Sequence, residues 1–392
     1  MKPLEGIRVL DFTHVLAGPV CARLLADLGA EVLKVESVRR PDRPWTAGPV
    51  EGLDRSQAFV MVHRGKKSIT LDLKTPQGRE TAVRLAGVAD VIIENFSPGV
   101  MQRLGLGPVE TRERNPGLVY VSMSGYGSEG PRAKWTSMNS TLQAHSGSMM
   151  ANDRDGNPPV SISNSWLDYM GGYHGCFCVL EGLARRAEDG VGGFVDLSQF
   201  ECGVAMLGPN LVAGIANGEA PARVGNRSLH AFPQGCYRCV GDDQWCAISV
   251  ESDAQWLNLC SAAGWVPERR FATSLERLRH AAEIDAKLRS WTATLPAVDV
   301  ARKLADSNVP AQVMRTAKEI VSEAAIGSVL HTQMVLDQAV LVSRQPFSFI
   351  PRDDAPLGSP ARLGEHTKEG LRDWLALTAP EIQVLEEAGA LQ

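Results

Sequence analysis

Over its first 125 residues the chain alternates short apolar runs with amphipathic stretches, a rhythm that admits few architectures. Strand and helix repeated in that way close into a mainly parallel sheet with helices on its faces. IRVLDFT reads as the first strand and AGPVCARLLADLGA as the helix after it, ended by Gly29. EVLKVES, KKSITLDL, DVIIENF and LVYVSMS read as further strands, and Thr75-Pro76 starts the helix QGRETAVRLAGVA because proline fits the first helical position. In such a Rossmann-like arrangement, ligands sit beyond the carboxyl ends of the strands. That directs attention to four loops: His14 to Gly18, Ser37 to Trp45, Asn95 to Gly99 and Gly125 to Gly130.

The rest of the chain differs in character. WLDYMGGYHGCFCVLEGLARR predicts a helix unusual for its glycines, each costing about 1 kcal/mol relative to alanine in a helix interior. Residues 225–325 combine a hairpin around CYRCVGDDQWCAISV with charged helices and are expected to form a smaller α+β domain. Residues 1–224 and 326–392 are assigned to the large domain, the tail supplying two amphipathic helices that must dock on something larger. At about 150 residues per domain, 392 residues are enough for two or three cores.

Charge and composition exclude several classes. With 40 Lys+Arg against 45 Asp+Glu there is no basic excess for nucleic acid. No apolar run approaches the roughly 18 residues of a membrane span, and Asp11, Thr13 and His14 interrupt any signal-peptide core, so a soluble, cytoplasmic protein is expected. The 8 cysteines are scattered, as reduced core thiols would be. Cys236 and Cys239 share C-x-x-C spacing, but on a strand they would point to opposite faces, so no metal site is assigned.

Two motifs carry chemistry. GYGSEG, Gly125 to Gly130, has the form of a dinucleotide fingerprint, yet Pro131, Arg132 and Lys134 follow where an apolar helix should begin. A flexible glycine loop beside a ligand is the better reading. Asp168 stands at the start of the glycine-rich helix, where free N–H groups and the helix dipole would keep it ionised. Gly171 and Gly172 would clear space for a large substrate to reach it, as a covalent nucleophile requires.

The strings GIRVLDFTHVLAGPVCARLLADLGAEVLKVE, KKSITLDLKTPQG, ADVIIENFSPGVMQRLGL, NPGLVYVSMSGYGSEGP, GGFVDLSQFE and LGEHT, in this order, resemble the family III CoA-transferases from Gly6 to Leu391. The resemblance implies an α/β fold, with a Rossmann-like large domain and a smaller domain, in an interlocked homodimer. It implies acyl-CoA and a carboxylic acid as substrates, with coenzyme A as co-substrate and no permanently bound cofactor. Asp168 takes the place of the family's nucleophile, passing through an aspartyl anhydride and an aspartyl-CoA thioester. CoA contacts are implied at Leu16 and Ala17, at Leu71, Asp72, Leu73 and Lys74, at Asn95, Phe96 and Ser97, and at Arg103. Arg39 and Arg40 lie near a basic contact of the family whose aligned position is Ser37.

Three departures bear on the substrate. SLHAFPQG stands in place of the formyl-CoA transferases' glycine lid, Leu16 in place of a glutamine, and Asn139 in place of a common acid. They point away from formyl or oxalyl groups; a small dicarboxylate such as succinate is a candidate partner in the transfer. His14, Arg43, Trp45, Tyr126 and His230 are candidates for reading the acid. The family's racemase and isomerase branch is an alternative, but the position of its histidine reads Met138, and the nearest histidine is His145. A non-catalytic or nucleotide-binding protein resting on GYGSEG is the remaining alternative.

Overall fold

The computed structural model describes residues 2–42, 49–50, 55–152, 158–219, 223, 225–228, 230–322, 330–335, 338–347 and 358–392. Strands β1 (Arg8–Asp11), β2 (Glu31–Glu36), β3 (Lys67–Thr70), β4 (Val91–Glu94), β5 (Val119–Ser122) and β6 (Phe194–Asp196) form one sheet in the order β3-β2-β1-β4-β5-β6. Every neighbouring pair is parallel, with Val9 facing Val32 on one side and Val91 on the other. All residues of β4 and β5 are buried, as in a sheet covered on both faces. The sixth strand, FVD, is too short and too exposed for its sequence pattern to predict it.

Strand order reverses between β1 and β4, and the loops leaving those two strands are latched together. The His14 N–H donates to Asn95 Oδ1 at 2.8 Å, and Asn95 Nδ2 donates back to the His14 carbonyl at 2.8 Å. A crevice opens at this kind of switch point.

Helices α1 (Ala17–Asp27), α3 (Asn139–Ser146), α4 (Trp166–Asp189) and α5 (Gln199–Met206) frame it, and α2 (Pro76–Val88) packs on β1. Thr75 caps α2 by accepting from the Gly78 N–H at 3.0 Å. The glycines of α4 are packing residues. A Cβ on Gly172 would lie 2.6 Å from Val20 Cγ1 and 2.9 Å from the Ala17 carbonyl oxygen, and one on Gly175 would lie 2.7 Å from Met123. One on Gly182 would lie 2.7 Å from Val119. This corrects the expectation that Gly171 and Gly172 hold open space for substrate: Gln199 and α1 occupy it.

The chain divides into two compact units, Met1–Met149, Ser161–Leu211 and Gly327–Gln392 forming one, Met150–Val160 and Val212–Ile326 the other. In the second, β7 (Gln234–Arg238), β8 (Trp245–Ser249) and β9 (Ala311–Val313) make an antiparallel sheet in the order β9-β8-β7. Its core includes Trp256, Phe271, Leu288 and Val300, and Cys239 is buried there while Cys236 is half-buried. A further hairpin, β10 (Leu330–Val335) and β11 (Gln338–Ser343), belongs to the first unit. So do the tail helices α6 (Thr367–Leu375) and α7 (Ala379–Glu387), which bury Leu371, Trp374 and Ile382 with Leu10, Leu33 and Ile69. Among the described residues, no helix is long and apolar enough to cross a membrane.

The α1–α4 contact yields a stability prediction. Alanine at position 172 gains about 1 kcal/mol of helix propensity but meets a backbone carbonyl, and overpacking of this kind costs about 1–3 kcal/mol. Gly172→Ala should therefore lower the urea midpoint, with a net loss of up to about 2 kcal/mol. A midpoint equal to or above that of the parent protein would contradict the packing role.

Candidate active site

Helix α4 begins abruptly. Asn164 and Ser165 hold left-handed backbone at φ 58° and 53°, and the Ser165 side chain makes no capping bond. The Asp168 N–H donates to the Ser165 carbonyl at 2.9 Å, and the Leu167 N–H donates to Asn139 Oδ1 at 3.2 Å, so α3 supplies the cap that α4 lacks. Asp168 thereby stands in the first turn. It lines a cleft of about 290 Å³ together with Leu16, Ala17, Asn95, Met138, Asn139 and Gln199.

Burial raises the Asp168 carboxyl to about 6. The helix terminus is expected to favour the charged form, and burial opposes it. The group is ionised at pH 7 and becomes protonated as pH falls through about 6.

On the facing wall, Val15 also holds left-handed backbone, at φ 72°, a genuine outlier for a β-branched residue. Asp42 holds it there: Oδ1 accepts from the Val15 N–H at 3.0 Å, while Oδ2 lies 3.2 Å from Lys34 Nζ and 3.3 Å from His63 Nε2. Lys34 Nζ also donates to the Thr13 carbonyl at 2.6 Å, and Lys66 Nζ to Asp11 Oδ2 at 2.9 Å. All these charged side chains are buried. Burial opposes the charge of Asp42, but Lys34 and His63 outweigh it and hold the carboxyl far below the usual carboxylate range. Burial also pushes His63 down to about 3, His14 to about 4 and Lys66 to about 8, so both histidines are neutral at pH 7.

The residues expected at the site fall into three groups. Leu16, Ala17, Asn95 and Asp168 share the cleft. Phe96, half-buried, has its ring 5.5 Å from that of His14, and Ser97 is exposed beside it. At the β2–β3 edge, Arg39 Nε lies 3.2 Å from Asp72 Oδ2, and Asp72 Oδ1 accepts from the Lys74 N–H at 3.0 Å. Leu71 is buried in the core and Leu73 is half-buried, so only the backbone of Leu71 could face a ligand. Arg103 is exposed and its guanidinium lies against Gly99.

Arg43 and Trp45 lie outside the described residues. His230 belongs to the second unit. Tyr126 packs in an aromatic cluster: its hydroxyl lies 3.2 Å from His145 Nδ1, and the His145 ring stacks on Trp135 at 5.7 Å and packs on Phe200 at 4.8 Å. His145 is absent from the cleft lining, so it is not placed to act as a second base beside Asp168.

The GYGSEG loop is tied down rather than flexible. A Cβ on Gly125 would collide with Ser137 Oγ, and Asp196 Oδ2 accepts from the Ser128 N–H at 2.8 Å and from its hydroxyl at 2.6 Å. No helix follows the loop directly, so a pyrophosphate finds no helix N-terminus there.

Ser137, Ser140, Leu142, Ser165 and Gln199 line the cleft without having been singled out from sequence. Gln199 Nε2 donates to the Met123 carbonyl at 3.1 Å, and its buried Oε1 has no hydrogen-bond partner among the described residues. A nearby signal existed in Gly171, whose Cβ would lie 3.0 Å from Gln199 Cγ, but the pairing spans 28 residues and a fold.

Residues 4–367 match the model of CoA-transferase family III. The chain is 31% identical over 402 residues to succinyl-CoA–D-citramalate CoA-transferase of Chloroflexus aurantiacus, covering 98% of this chain and 97% of that protein. It is 30% identical over 419 residues to formyl-CoA:oxalate CoA-transferase of Rhodopseudomonas palustris, covering 100% and 97%. A CAIB/BAIF family protein from Brucella suis has a TM-score of 0.85 and 30% identity, covering 95% of this chain and 99% of that one. An aspartate in a cleft at the switch point of a parallel sheet, and a family match over most of the sequence, lead to one assignment: the chain belongs to CoA-transferase family III.

Proposed function

We propose that the protein moves CoA from an acyl-CoA to a free carboxylic acid by a covalent route through Asp168. The observation that carries this is a single carboxylate, ionised at neutral pH, lining a cleft at the switch point of the sheet. Asp168 attacks the thioester carbonyl, a C–O bond forms, the C–S bond breaks, and CoA leaves as thiolate with an aspartyl-acyl anhydride behind it. The thiolate then attacks the aspartyl carbonyl and expels the first acid, leaving an aspartyl-CoA thioester. The acceptor carboxylate repeats the sequence in reverse. Every step is an acyl exchange, with no net redox change.

CoA is proposed to run along the carboxyl ends of the strands, past Leu16, Ala17, Asn95, Phe96 and Ser97, the backbone of Leu71 to Lys74, and the basic groups of Arg39 and Arg103. Support comes from all of these following β1 to β4, on the loops or, for Ala17 and Arg103, on the helices that those loops enter. Arg39 is the weaker phosphate contact because Asp72 already partly neutralises it. A small dicarboxylate remains the proposed acid, and succinyl transfer by the Chloroflexus relative is in keeping with it.

An interlocked homodimer is likewise proposed. Supporting it, α4 leaves a stripe of Tyr173, Phe177 and Leu180 at 46%, 69% and 37% exposure, spaced for one helix face. A cytoplasmic setting accords with eight free cysteines.

Asp168→Asn should abolish both transfer and the CoA adduct seen by mass spectrometry after mixing with an acyl-CoA, while circular dichroism stays unchanged. Substantial transfer in a sample free of deamidation overturns the assignment. The same variant should be more stable than the parent at pH 7.5. A carboxyl raised from 3.8 to about 6 binds more protons folded than unfolded, so its ionisation costs the fold as much as about 3 kcal/mol above pH 6. That gain in Tm should shrink as pH falls and vanish below about pH 4; a constant difference would mean that Asp168 is not the titrating group.

Arg103→Ala removes a contact made about equally in ground and transition states. The KM for acyl-CoA should rise about ten- to a hundredfold, as expected for a lost charge-assisted hydrogen bond, with kcat within a few-fold. An unchanged KM in steady-state kinetics would place CoA elsewhere.

A further inference from the structure

We propose that Asn139 is the side-chain donor that reads the acyl group beside Asp168, its amide nitrogen presenting two N–H groups to the cleft. The inference rests on the reading of Asp168 as nucleophile and adds to it the residue that sets which acids the cleft admits.

Hydrogen bonding decides which way the amide faces. The Leu167 N–H can only donate, and it lies 3.2 Å from Asn139 Oδ1. Gln143 Nε2 donates to the same oxygen at 3.1 Å. The orientation of Gln143 is itself determined, since its Nε2 donates to the Ile162 carbonyl at 2.9 Å and its Oε1 accepts from the Ile162 N–H at 2.9 Å. A flipped Asn139 would set its NH₂ against two donors. With Oδ1 committed to the start of α4, Nδ2 occupies the opposite edge of the amide, where it makes no hydrogen bond among the described residues, in a side chain that lines the cleft with Asp168.

The other two amides of the cleft are used elsewhere: Asn95 Nδ2 on the His14 carbonyl and Gln199 Nε2 on the Met123 carbonyl. Val15, Leu16, Met138 and Leu142 supply apolar lining, with Ser137, Ser140 and Ser165 among them. In that setting a free amide donor serves the oxygen of an acyl group, neutral in the thioester and negative in the tetrahedral intermediate, and losing one such donor typically costs about 10²–10³ in kcat. A carboxylate at 139 would offer no donor and would set a second negative charge beside Asp168.

Asn139→Asp separates capping from recognition. Aspartate keeps an oxygen for Leu167 and Gln143, and a negative charge at a helix start is favourable, so at about pH 5, where Asp168 is protonated, Tm should equal or exceed that of the parent. The cleft edge changes from donor to anion, so kcat for CoA transfer should fall about a hundredfold or more. Asn139→Ala, which loses the cap, should melt lower. Full transfer by Asn139→Asp would make Asn139 a cap only and overturn the proposal.

A second readout needs no turnover: the titration of Asp168 followed by carboxyl ¹³C NMR. The elements packed on α4 bring Arg23, paired with Asp27, on α1, His145 on α3 and Glu201 on α5, and α4 itself carries Tyr169; none of these lines the cleft. Asn139→Asp should therefore raise the Asp168 midpoint through like charge, and an unmoved midpoint overturns the placement of Nδ2. If the parent protein forms no CoA adduct with any acyl-CoA tried, the nucleophile reading fails instead, and the NMR result still decides whether residue 139 faces Asp168.

Discussion

The cleft depends on a buried pair of charges. Lys34 on β2 and Asp42 beyond it sit 3.2 Å apart and both are nearly inaccessible to water. Between them they hold the loop after β1: Lys34 grips the Thr13 carbonyl and Asp42 the Val15 N–H. Neither partner can be removed alone without leaving an uncompensated buried charge, at a cost of about 3–5 kcal/mol. Such a network seldom adds net stability over an apolar core, but it can specify one conformation. Here that conformation is the left-handed Val15, which costs about 1–3 kcal/mol and is tolerated because its surroundings over-determine it.

A second strained turn faces the first. Asn164 and Ser165 hold left-handed backbone at the point where α4 starts. Close contact of α4 with α1 and β5, possible because Gly172, Gly175 and Gly182 lack side chains, sets where that start lies. The helix is thereby placed by its middle, and its first turn is placed by α3 through Asn139. Strain, packing and a borrowed cap all converge on Asp168. A carboxylate held this way is poised between two demands, since burial makes it more basic and a better nucleophile, while too much burial would protonate it at working pH.

Much of the first unit was legible in the sequence because strand and helix periodicities are local. β1 to β5, α1, α2 with its Thr75 cap, and the long α4 all follow from apolar spacing, capping and proline chemistry. The carboxyl-end loops were legible for the same reason, and with them Leu16, Ala17 and Asn95 of the cleft. β6 was not, because three residues of intermediate polarity become a strand only when β5 offers an edge.

Sequence by itself determined the family, the parallel sheet and the identity of the acidic residue at the head of α4, because each rests on order and spacing along the chain. Tertiary structure alone decided what surrounds that acid. The α4 glycines read as open space until Val20, Met123 and Val119 were seen to fill it. His145 could be weighed as a base until its aromatic cage was visible, and GYGSEG could be taken as a loose loop until Asp196 was found holding it. Asn139 was legible only as a missing acid. That its oxygen caps another helix and its nitrogen is left for the cleft depends on contacts across 28 residues, which no local pattern encodes.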